Sequence, residues 1–349
     1  MTDRNADDRQ GMRRAALVLN NRAGTLAGRP ELPELIEEAL RRAGFDLTVL
    51  GEDAAADMRG RVEAAIATDA PIVIIGGGDG SIRSIGARLA GTDRVLGILP
   101  LGTLNLLARD LGIPLDPLEA AEILGRSSPR AIDVGEVNGE VFLCQSVIGI
   151  TNNVGRARQR FRRRGGFYAT VRVVLAAIRA LLRQRPRRLM VNAPGWNRPW
   201  RVWTRAMSVV NNGYEEGTGV MFHRPRLDGG ALYLYVTRSF SLGWAAKMLI
   251  AMALGRWRQS GDIAILSSPA FTIHSRRHSM LTMNDGEAAV LRTPLRYSLR
   301  PRALTVLAPP GEAALAEGEE RPSETAGTSP AIATAATRTA GGTPMAAQG

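Results

Sequence analysis

Ile72-Val73-Ile74-Ile75-Gly76-Gly77-Gly78-Asp79-Gly80-Ser81 decides the fold. A run of β-branched apolar residues of strand length ends in three glycines, a carboxylate, a fourth glycine and a hydroxyl. Glycines after a buried strand let the backbone approach a ligand closely and aim several N–H groups at one anion. A helix starting at Ser81 would add its own N-terminal donors and dipole. Asp79 is the odd member, because a carboxylate repels a phosphate unless a divalent cation lies between them. The segment therefore points to a nucleotide phosphate with Mg²⁺, and places Asp79 near the metal. It lacks the lysine of a Walker loop and the third glycine of a dinucleotide fingerprint, whose place Ser81 takes. An ordinary strand-to-helix turn could also read this way.

The same rhythm recurs on either side. Ala15–Asn20 reads as a strand, followed by a turn-rich Asn21-Arg22-Ala23-Gly24. Leu35, Ile36, Ala39, Leu40 and Ala43 recur at helical spacing, with Gly44 as a C-terminal cap. The pattern then predicts a strand over Phe45–Leu50, a helix over 54–67, a helix over Ile82–Leu89 and a strand over Val95–Leu99. A further helix, Leu104–Leu111, is closed by Gly112 and Pro114. Short apolar strands alternating with amphipathic helices specify an α/β domain with a parallel sheet over residues 13–132. Ligands on such sheets bind beyond the carboxyl ends of the strands, where Gly76–Ser81 falls.

Near Ala131 the pattern changes. Ile132–Val137, Asn138-Gly139 and Glu140–Val147 predict a hairpin with a two-residue turn. Strand signals follow at Arg188–Ala193, Arg201–Val210, Ala231–Thr237, Ala270–His274, Ser279–Met283 and Ala288–Arg292, with helices near 166–184 and 241–256. Residues 133–295 are thus expected to form a β-rich domain, and a strand within 296–308 to return to the first. Residues 1–12 and 309–349 are polar or Ala/Gly/Thr/Pro-rich and predict disorder.

At 349 residues and 45% hydrophobic, the chain can hold two cores, since single cores stop growing at about 250–300 residues. A formal charge of +12 favours a polyanionic partner, nucleic acid or an anionic membrane surface. Aromatic residues at 5% argue against a base-stacking nucleic-acid binder. Cys144 is the single cysteine, so no intrachain disulfide can form, and Val141-Phe142-Leu143-Cys144 reads as a buried strand. The polar N-terminus carries no signal-peptide pattern, and no uncharged apolar run approaches the roughly 20 residues of a spanning helix. The expected location is cytoplasmic, peripheral at the inner face of the membrane. His274 and His278 lie four apart in a strand-like segment with no glutamate between them, which argues against a zinc site.

Two further segments carry chemistry. Leu99-Pro100-Leu101-Gly102-Thr103-Leu104-Asn105 also leads from a strand into a helix. Thr103 can cap that helix or bond a phosphate, and Asn105 can bind a nucleotide hydroxyl or ring edge. This loop and Gly76–Ser81 follow consecutive β-units, so they are expected side by side. Asn284-Asp285-Gly286-Glu287 is the sequence of a tight hairpin turn. It can also present Asp285 and Glu287 to a cleft, where phosphoryl transfer to a hydroxyl needs a carboxylate to accept the proton.

The ordered set Gly77-Gly78-Asp79-Gly80-Ser81, Gly102-Thr103-Leu104-Asn105 with Ala108-Arg109, and Asp285-Gly286-Glu287 resembles the diacylglycerol kinase-type lipid kinases, which include YegS-like and sphingosine kinases. Asn20 with Gly24, Ile132-Asp133-Val134-Gly135 and Leu227-Asp228-Gly229-Gly230 extend the resemblance over roughly residues 13–308. It implies a phosphofructokinase-like α/β domain, a C-terminal β-sandwich and an active site in the cleft between them. It implies that Gly77, Gly78, Asp79, Gly80 and Ser81 bind ATP phosphates, that Asn20 and Gly24 assist, and that Gly102, Thr103 and Asn105 complete the nucleotide site. It makes Asp285 the general base, Glu287 its acidic partner and Asp228 a metal-linked position beside Asp79. The chain departs from the family at Leu106-Leu107, where many members carry Asp-Phe, and in having Ser81 for threonine and Arg22 for a small or polar residue.

The resemblance implies ATP with Mg²⁺ and a lipid alcohol such as diacylglycerol, hence a role in lipid metabolism and phospholipid biosynthesis. The Arg-rich segment 156–188 reads as a basic amphipathic helix suited to an anionic bilayer, or as a helix packed on the β-domain with a solvated rim. A homodimer is compatible with the sequence, and no nucleic acid is expected. Two rivals stand beside this reading. One is an NAD kinase-like phosphotransferase, which shares a Gly-Gly-Asp-Gly loop. The other is a non-catalytic basic protein binding membrane or nucleic acid.

Overall fold

In a computed structural model of the chain, Ile72–Gly77 forms a strand, β3, buried along its whole length. The structure describes residues 12–20, 23–26, 29–51, 53–55, 57–149, 186–215, 223–237, 243–244, 247, 251 and 263–310. All of these belong to one unit, Met1–Gly318, and the second unit, Glu319–Gly349, lies outside them. The expected disorder of residues 1–11 and 311–349, the basic helix up to residue 185 and most of the helix near 241–256 also lie outside the described residues.

β3 pairs in parallel with β1 (Arg13–Leu19) and β4 (Val95–Pro100), and β1 pairs in parallel with β2 (Phe45–Val49). Helices α1 (Leu32–Arg42), α2 (Met58–Ala67), α3 (Asp79–Leu89), α4 (Leu106–Asp110) and α5 (Pro117–Arg126) connect and cover these strands. α1 buries Ile36 and Leu40 completely, which is worth about 1.5–3 kcal/mol for each side chain. α5 is absent from the sequence expectation, although Asp116 accepts the N–H groups of Leu118 and Glu119 ahead of Pro117, a recognisable start signal.

Two boundaries near the glycine loops differ from expectation. Gly76 and Gly77 stay in the sheet, paired with Leu99 and Pro100, so the strand runs two residues longer. α3 then begins at Asp79 rather than Ser81, with extended Gly78 as its N-cap. α4 starts at Leu106 rather than Leu104, because Asn105 has φ 50° and turns the chain first.

In the second half, β5 (Ser128–Val137) and β6 (Glu140–Phe142) form the expected hairpin, with Asn138 and Gly139 both at positive φ. The single strand expected over Glu140–Val147 breaks at Leu143-Cys144, where the chain leaves β6 and enters β7 (Gln145–Ile148) in another sheet. Arg201–Val210 likewise divides into β9 (Trp200–Thr204) and β10 (Met207–Asn211), again in different sheets. The remaining strands are β8 (Arg187–Asn192), β11 (Leu232–Thr237), β12 (Ile263–Ser268), β13 (Ala270–Ser275), β14 (Ser279–Asn284), β15 (Glu287–Arg292) and β16 (Leu295–Ala308). β12 is not among the sequence expectations.

One sheet has the order β2-β1-β3-β4-β16-β13-β8-β9, with β5 on β16 and β6 on β5. The other, β12-β11-β10-β7-β14-β15, is antiparallel throughout. Val191, Phe271, Ile273 and Tyr297 of the first sheet meet Val209, Leu234, Ile148 and Met280 of the second in one apolar core. The architecture is an N-terminal α/β layer with parallel strands and a C-terminal antiparallel β-sandwich. β16 serves both halves. Its start pairs antiparallel with β13, and Thr305 and Val306 pair in parallel with β4.

Candidate active site

The two glycine loops meet backbone to backbone at the carboxyl ends of β3 and β4. A Cβ on Gly102 would stand 2.5 Å from the Gly78 Cα, and one on Gly78 would stand 3.3 Å from the Gly102 Cα. Gly102 therefore needs glycine for the close approach, and a side chain at Gly78 would be tight. A Cβ on Gly77 would meet Ser81 at 2.6 Å. Asn20, at the end of β1, donates from Nδ2 to the Ser81 hydroxyl at 2.9 Å and from its backbone N–H to the Gly76 carbonyl at 2.8 Å. Three consecutive strand ends thus bring Asn20, Gly77, Gly78, Ser81 and Gly102 together. Gly24, in the loop after β1, and Thr103 are exposed. The Thr103 hydroxyl does not cap α4.

Asp79 supplies that cap from the neighbouring loop. Its Oδ1 accepts the Leu106 N–H at 2.6 Å and its Oδ2 the Asn105 N–H at 3.2 Å. Asn105 is buried, and its amide closes its own loop by accepting from the Gly102 N–H and donating to the Gly102 carbonyl. The carboxylate read as the metal-linked member of the first loop is therefore also the fastener between the two loops.

Asp285 and Gly286, at φ 48° and 88°, form the two-residue turn of the β14–β15 hairpin. Asp285 is only 4% exposed. Its Oδ2 accepts the Leu143 N–H at 2.6 Å, and its Oδ1 accepts those of Cys144 and Gln145 at 2.9 and 2.8 Å. These are the N–H groups stranded where the chain switches sheets, and buried backbone donors require such a partner. Burial pushes the Asp285 carboxyl above the usual carboxylate range, against the three N–H bonds and the charge of Arg224. Glu287 behaves differently. It is half exposed, pairs with Arg83 at 2.8 Å and lies directly over Gly80, where a Cβ would fall on its carboxylate. The hairpin therefore sits against the first turn of α3.

An ion pair that the sequence expectations omit ties the halves together. Arg224 is fully buried and donates to Asp110 Oδ2 from Nε at 2.8 Å and from Nη2 at 2.6 Å. Nη1 donates to the carbonyls of Leu143 and Asn211, and Nη2 also to Cys144 Sγ. Asp110 ends α4, which Asp79 caps, and Leu143-Cys144 hold Asp285. Burial pushes the Cys144 thiol far up, which leaves it an uncharged acceptor.

Among the described residues no three of His, Cys, Asp and Glu form a cluster that could hold an ion. Asp228 faces the guanidinium groups of Arg302 at 3.6 Å and Arg226 at 3.9 Å, a setting that does not fit a cation. Asp79 does fit, because Mg²⁺ is commonly held by one or two carboxylates with phosphate and water. Asp133, buried at the crossing between halves, accepts from Gly230 and Arg302 backbone N–H groups and acts as a brace.

Residues 14–137 match the diacylglycerol kinase catalytic domain family, and residues 146–308 match the YegS C-terminal NAD kinase beta sandwich-like domain. A probable lipid kinase YegS-like protein of Chromohalobacter salexigens is 30% identical over 312 residues, covering 86% of this chain and 94% of its own. The diacylglycerol kinase of Bacillus subtilis is 33% identical over 135 residues, 38% of this chain and 44% of that one. A diacylglycerol kinase structure from Bacillus anthracis has the same fold, with a TM-score of 0.61 at 21% identity over 85% of this chain and 97% of its own.

Proposed function

As a member of the diacylglycerol kinase-type lipid kinases, to which the chain belongs, the protein is a kinase, and we propose that it transfers the γ-phosphoryl group of ATP to the hydroxyl of a lipid such as diacylglycerol. The observation that carries this reading is the junction of the two glycine loops with the Asp285 hairpin, through Glu287 over Gly80 and its pair with Arg83.

On this reading the phosphates lie over Gly77, Gly78, Gly80 and Ser81, with the first N–H groups of α3 aimed at them. Asn20 fixes the Ser81 hydroxyl, Gly24 borders the site, and Gly102, Thr103 and Asn105 form its second wall. Mg²⁺, when bound with the nucleotide, supplies charge neutralisation, and Asp79 is the residue placed to hold it. Asp285 accepts the proton of the lipid hydroxyl at Oδ2, the oxygen that receives one backbone N–H rather than two. Burial makes this carboxylate a better proton acceptor than an exposed one. Glu287 keeps a second negative charge beside the helix start.

The acceptor is read from the apolar side of the same residues. Gln145, whose N–H bonds Asp285, accepts from the Tyr214 hydroxyl, and Tyr214 stacks at a tilt on Tyr235. Val210, Tyr233, Trp244, Ile263 and Ile265 extend this cluster on the outer face of the second sheet. This cluster is buried or partly buried, and apolar packing of that kind beside Gln145 supports a lipid acceptor over a dinucleotide. An anionic membrane surface, reached in part through the Arg-rich segment 156–188, would present the lipid. Incubation with labelled ATP and a panel of diacylglycerol, sphingoid base, ceramide and NAD tests the reading. Label in a lipid phosphate is expected, and label in NAD alone overturns it.

A further inference from the structure

The far edge of the sandwich carries charge of one sign. From residue 186 to 214 the chain has five arginines and neither lysine, aspartate nor glutamate, and residues 263–280 add Arg276 and Arg277 without a carboxylate. Among the described residues, β9 is the outermost strand of its sheet and pairs only with β8. Leu189, Val191 and Val202 point into the core, so Arg188, Arg201 and Trp203 share the opposite, outer face. Arg188 and Trp203 are direct register partners, and the guanidinium lies 5.3 Å from the indole ring. Trp203 is 59% exposed. Arg187 is held below the usual arginine range by burial and then by the charge of Arg277, so two positive charges lie close together at this edge.

Edge strands are often guarded against aggregation by charge, and that role alone would account for arginine. It does not account for a large exposed indole on the outermost strand, which is an aggregation hazard in water. Tryptophan flanked by cations is the composition of the membrane–water interface, where the ring sits at headgroup depth and the guanidinium groups meet lipid phosphates. We propose that the outer face of β8 and β9, centred on Trp203, Arg188 and Arg201, docks this protein on an anionic lipid bilayer. The proposal rests on the lipid kinase reading for its purpose but not for its evidence, and of the Arg-rich segment 156–188 its centre takes in only Arg188, which lies in β8.

The full chain is floated with vesicles of phosphatidylcholine alone and with added phosphatidylglycerol. Wild type is expected to float with the anionic vesicles only and to be released by high salt. R188Q/R201Q lowers vesicle affinity about 25-fold, at about fivefold per interfacial arginine. W203S lowers it by a similar factor, while R188K/R201K retains binding. Phosphorylation of diacylglycerol dispersed in detergent separates the two readings. Full activity there with lost activity on vesicles supports the surface. Absence of lipid phosphorylation in detergent defeats the kinase reading and leaves the surface standing. Vesicle binding unchanged in W203S and R188Q/R201Q overturns the proposal. So does binding of single-stranded RNA, weakened by the same variants, in a protein that ignores vesicles.

Discussion

Arg224 and Asp110 are 114 residues apart in sequence, yet the guanidinium places two N–H groups on one carboxylate oxygen, at 2.8 and 2.6 Å, with both side chains buried. The pair joins the end of α4 to the point where the chain crosses between sheets. Replacing Arg224 with methionine leaves the buried Asp110 carboxylate without its guanidinium, with only the backbone N–H of residue 224 and His223 beside it, and also strips the carbonyls of Leu143 and Asn211 of a donor. Breaking a buried pair on one side costs about 3–5 kcal/mol. Denaturant unfolding of Arg224→Met is expected to show a loss of that size, and Asp110→Leu/Arg224→Met is expected to recover part of it. A loss below about 1 kcal/mol for Arg224→Met would falsify the bracing role.

The same pair sets an acid limit. Burial pushes the Asp110 carboxyl up, but the charge of Arg224, with bonds from His223 and from Arg224, outweighs it and leaves the group below its usual range. A carboxyl depressed in the folded state contributes stability above its unfolded value of about 3.9, and loses it as pH falls through the folded value. Unfolding midpoints measured from pH 7 downward should therefore drop below about pH 4. That component should be missing in Asp110→Leu/Arg224→Met.

Asp285 titrates in the opposite sense, since burial raises it. A base acts only when ionised, so kcat/KM for lipid phosphorylation should fall on acidification with a midpoint above the ordinary carboxylate value of about 3.9. Arg224 is one of the influences that lower the Asp285 carboxyl. Its removal in Arg224→Met should move that acid limb to higher pH, a shift that lost stability alone does not produce. Asp285→Asn should reduce turnover about 10²–10⁴-fold, with ATP binding retained by equilibrium dialysis. Full activity in Asp285→Asn would end its assignment as the base.

The parallel strands and the two glycine loops are legible because their signals are local. Val73, Ile74 and Ile75 announce a buried strand, and the glycines after them mark the loop at its end. The sheet switches at Leu143-Cys144 and at Arg205-Ala206 are harder to read, because Val141-Phe142-Leu143-Cys144 runs on as one apolar stretch and the change of partner strand is set by contacts distant in sequence. Arg224 is invisible for a related reason. His223-Arg224-Pro225-Arg226 reads as a solvated loop, and the carboxylate that buries Arg224 comes from a helix in the other half. Asp285 was visible as a residue, but its setting was not, since the three N–H groups it accepts come from the first of those switches.

Two glycine substitutions should separate backbone contact from side-chain contact. In Gly102→Ala the new methyl meets the Gly78 Cα at 2.5 Å and Asn105 Oδ1 at 2.7 Å, and the backbone has nowhere to retreat. Overpacking of this kind costs about 1–3 kcal/mol, and ATP affinity should fall with it. In Gly80→Ala the methyl meets only the flexible end of Glu287, so the carboxylate swings away and the Arg83 pair is lost. A partly exposed pair is worth about 0–1 kcal/mol. Thermal melts should therefore rank Gly102→Ala well below Gly80→Ala, and equal melting temperatures would contradict the back-to-back packing of the loops.

Asp79 has two duties that substitution can divide. As a cap it accepts the N–H groups of Asn105 and Leu106, and as an anion it would face Mg²⁺ at the phosphates. Asp79→Ala removes both, and the lost cap alone should cost about 0.5–2 kcal/mol. Asp79→Asn keeps one acceptor oxygen and loses the charge. Its stability should lie between that of Ala and wild type, while lipid phosphorylation falls nearly as far as in Asp79→Ala and needs more Mg²⁺ for half-maximal rate. Turnover measured against Mg²⁺ concentration, beside denaturant unfolding of both variants, reads the two duties separately. Wild-type turnover in Asp79→Asn would reduce Asp79 to a fastener between the loops and remove it as the proposed metal residue.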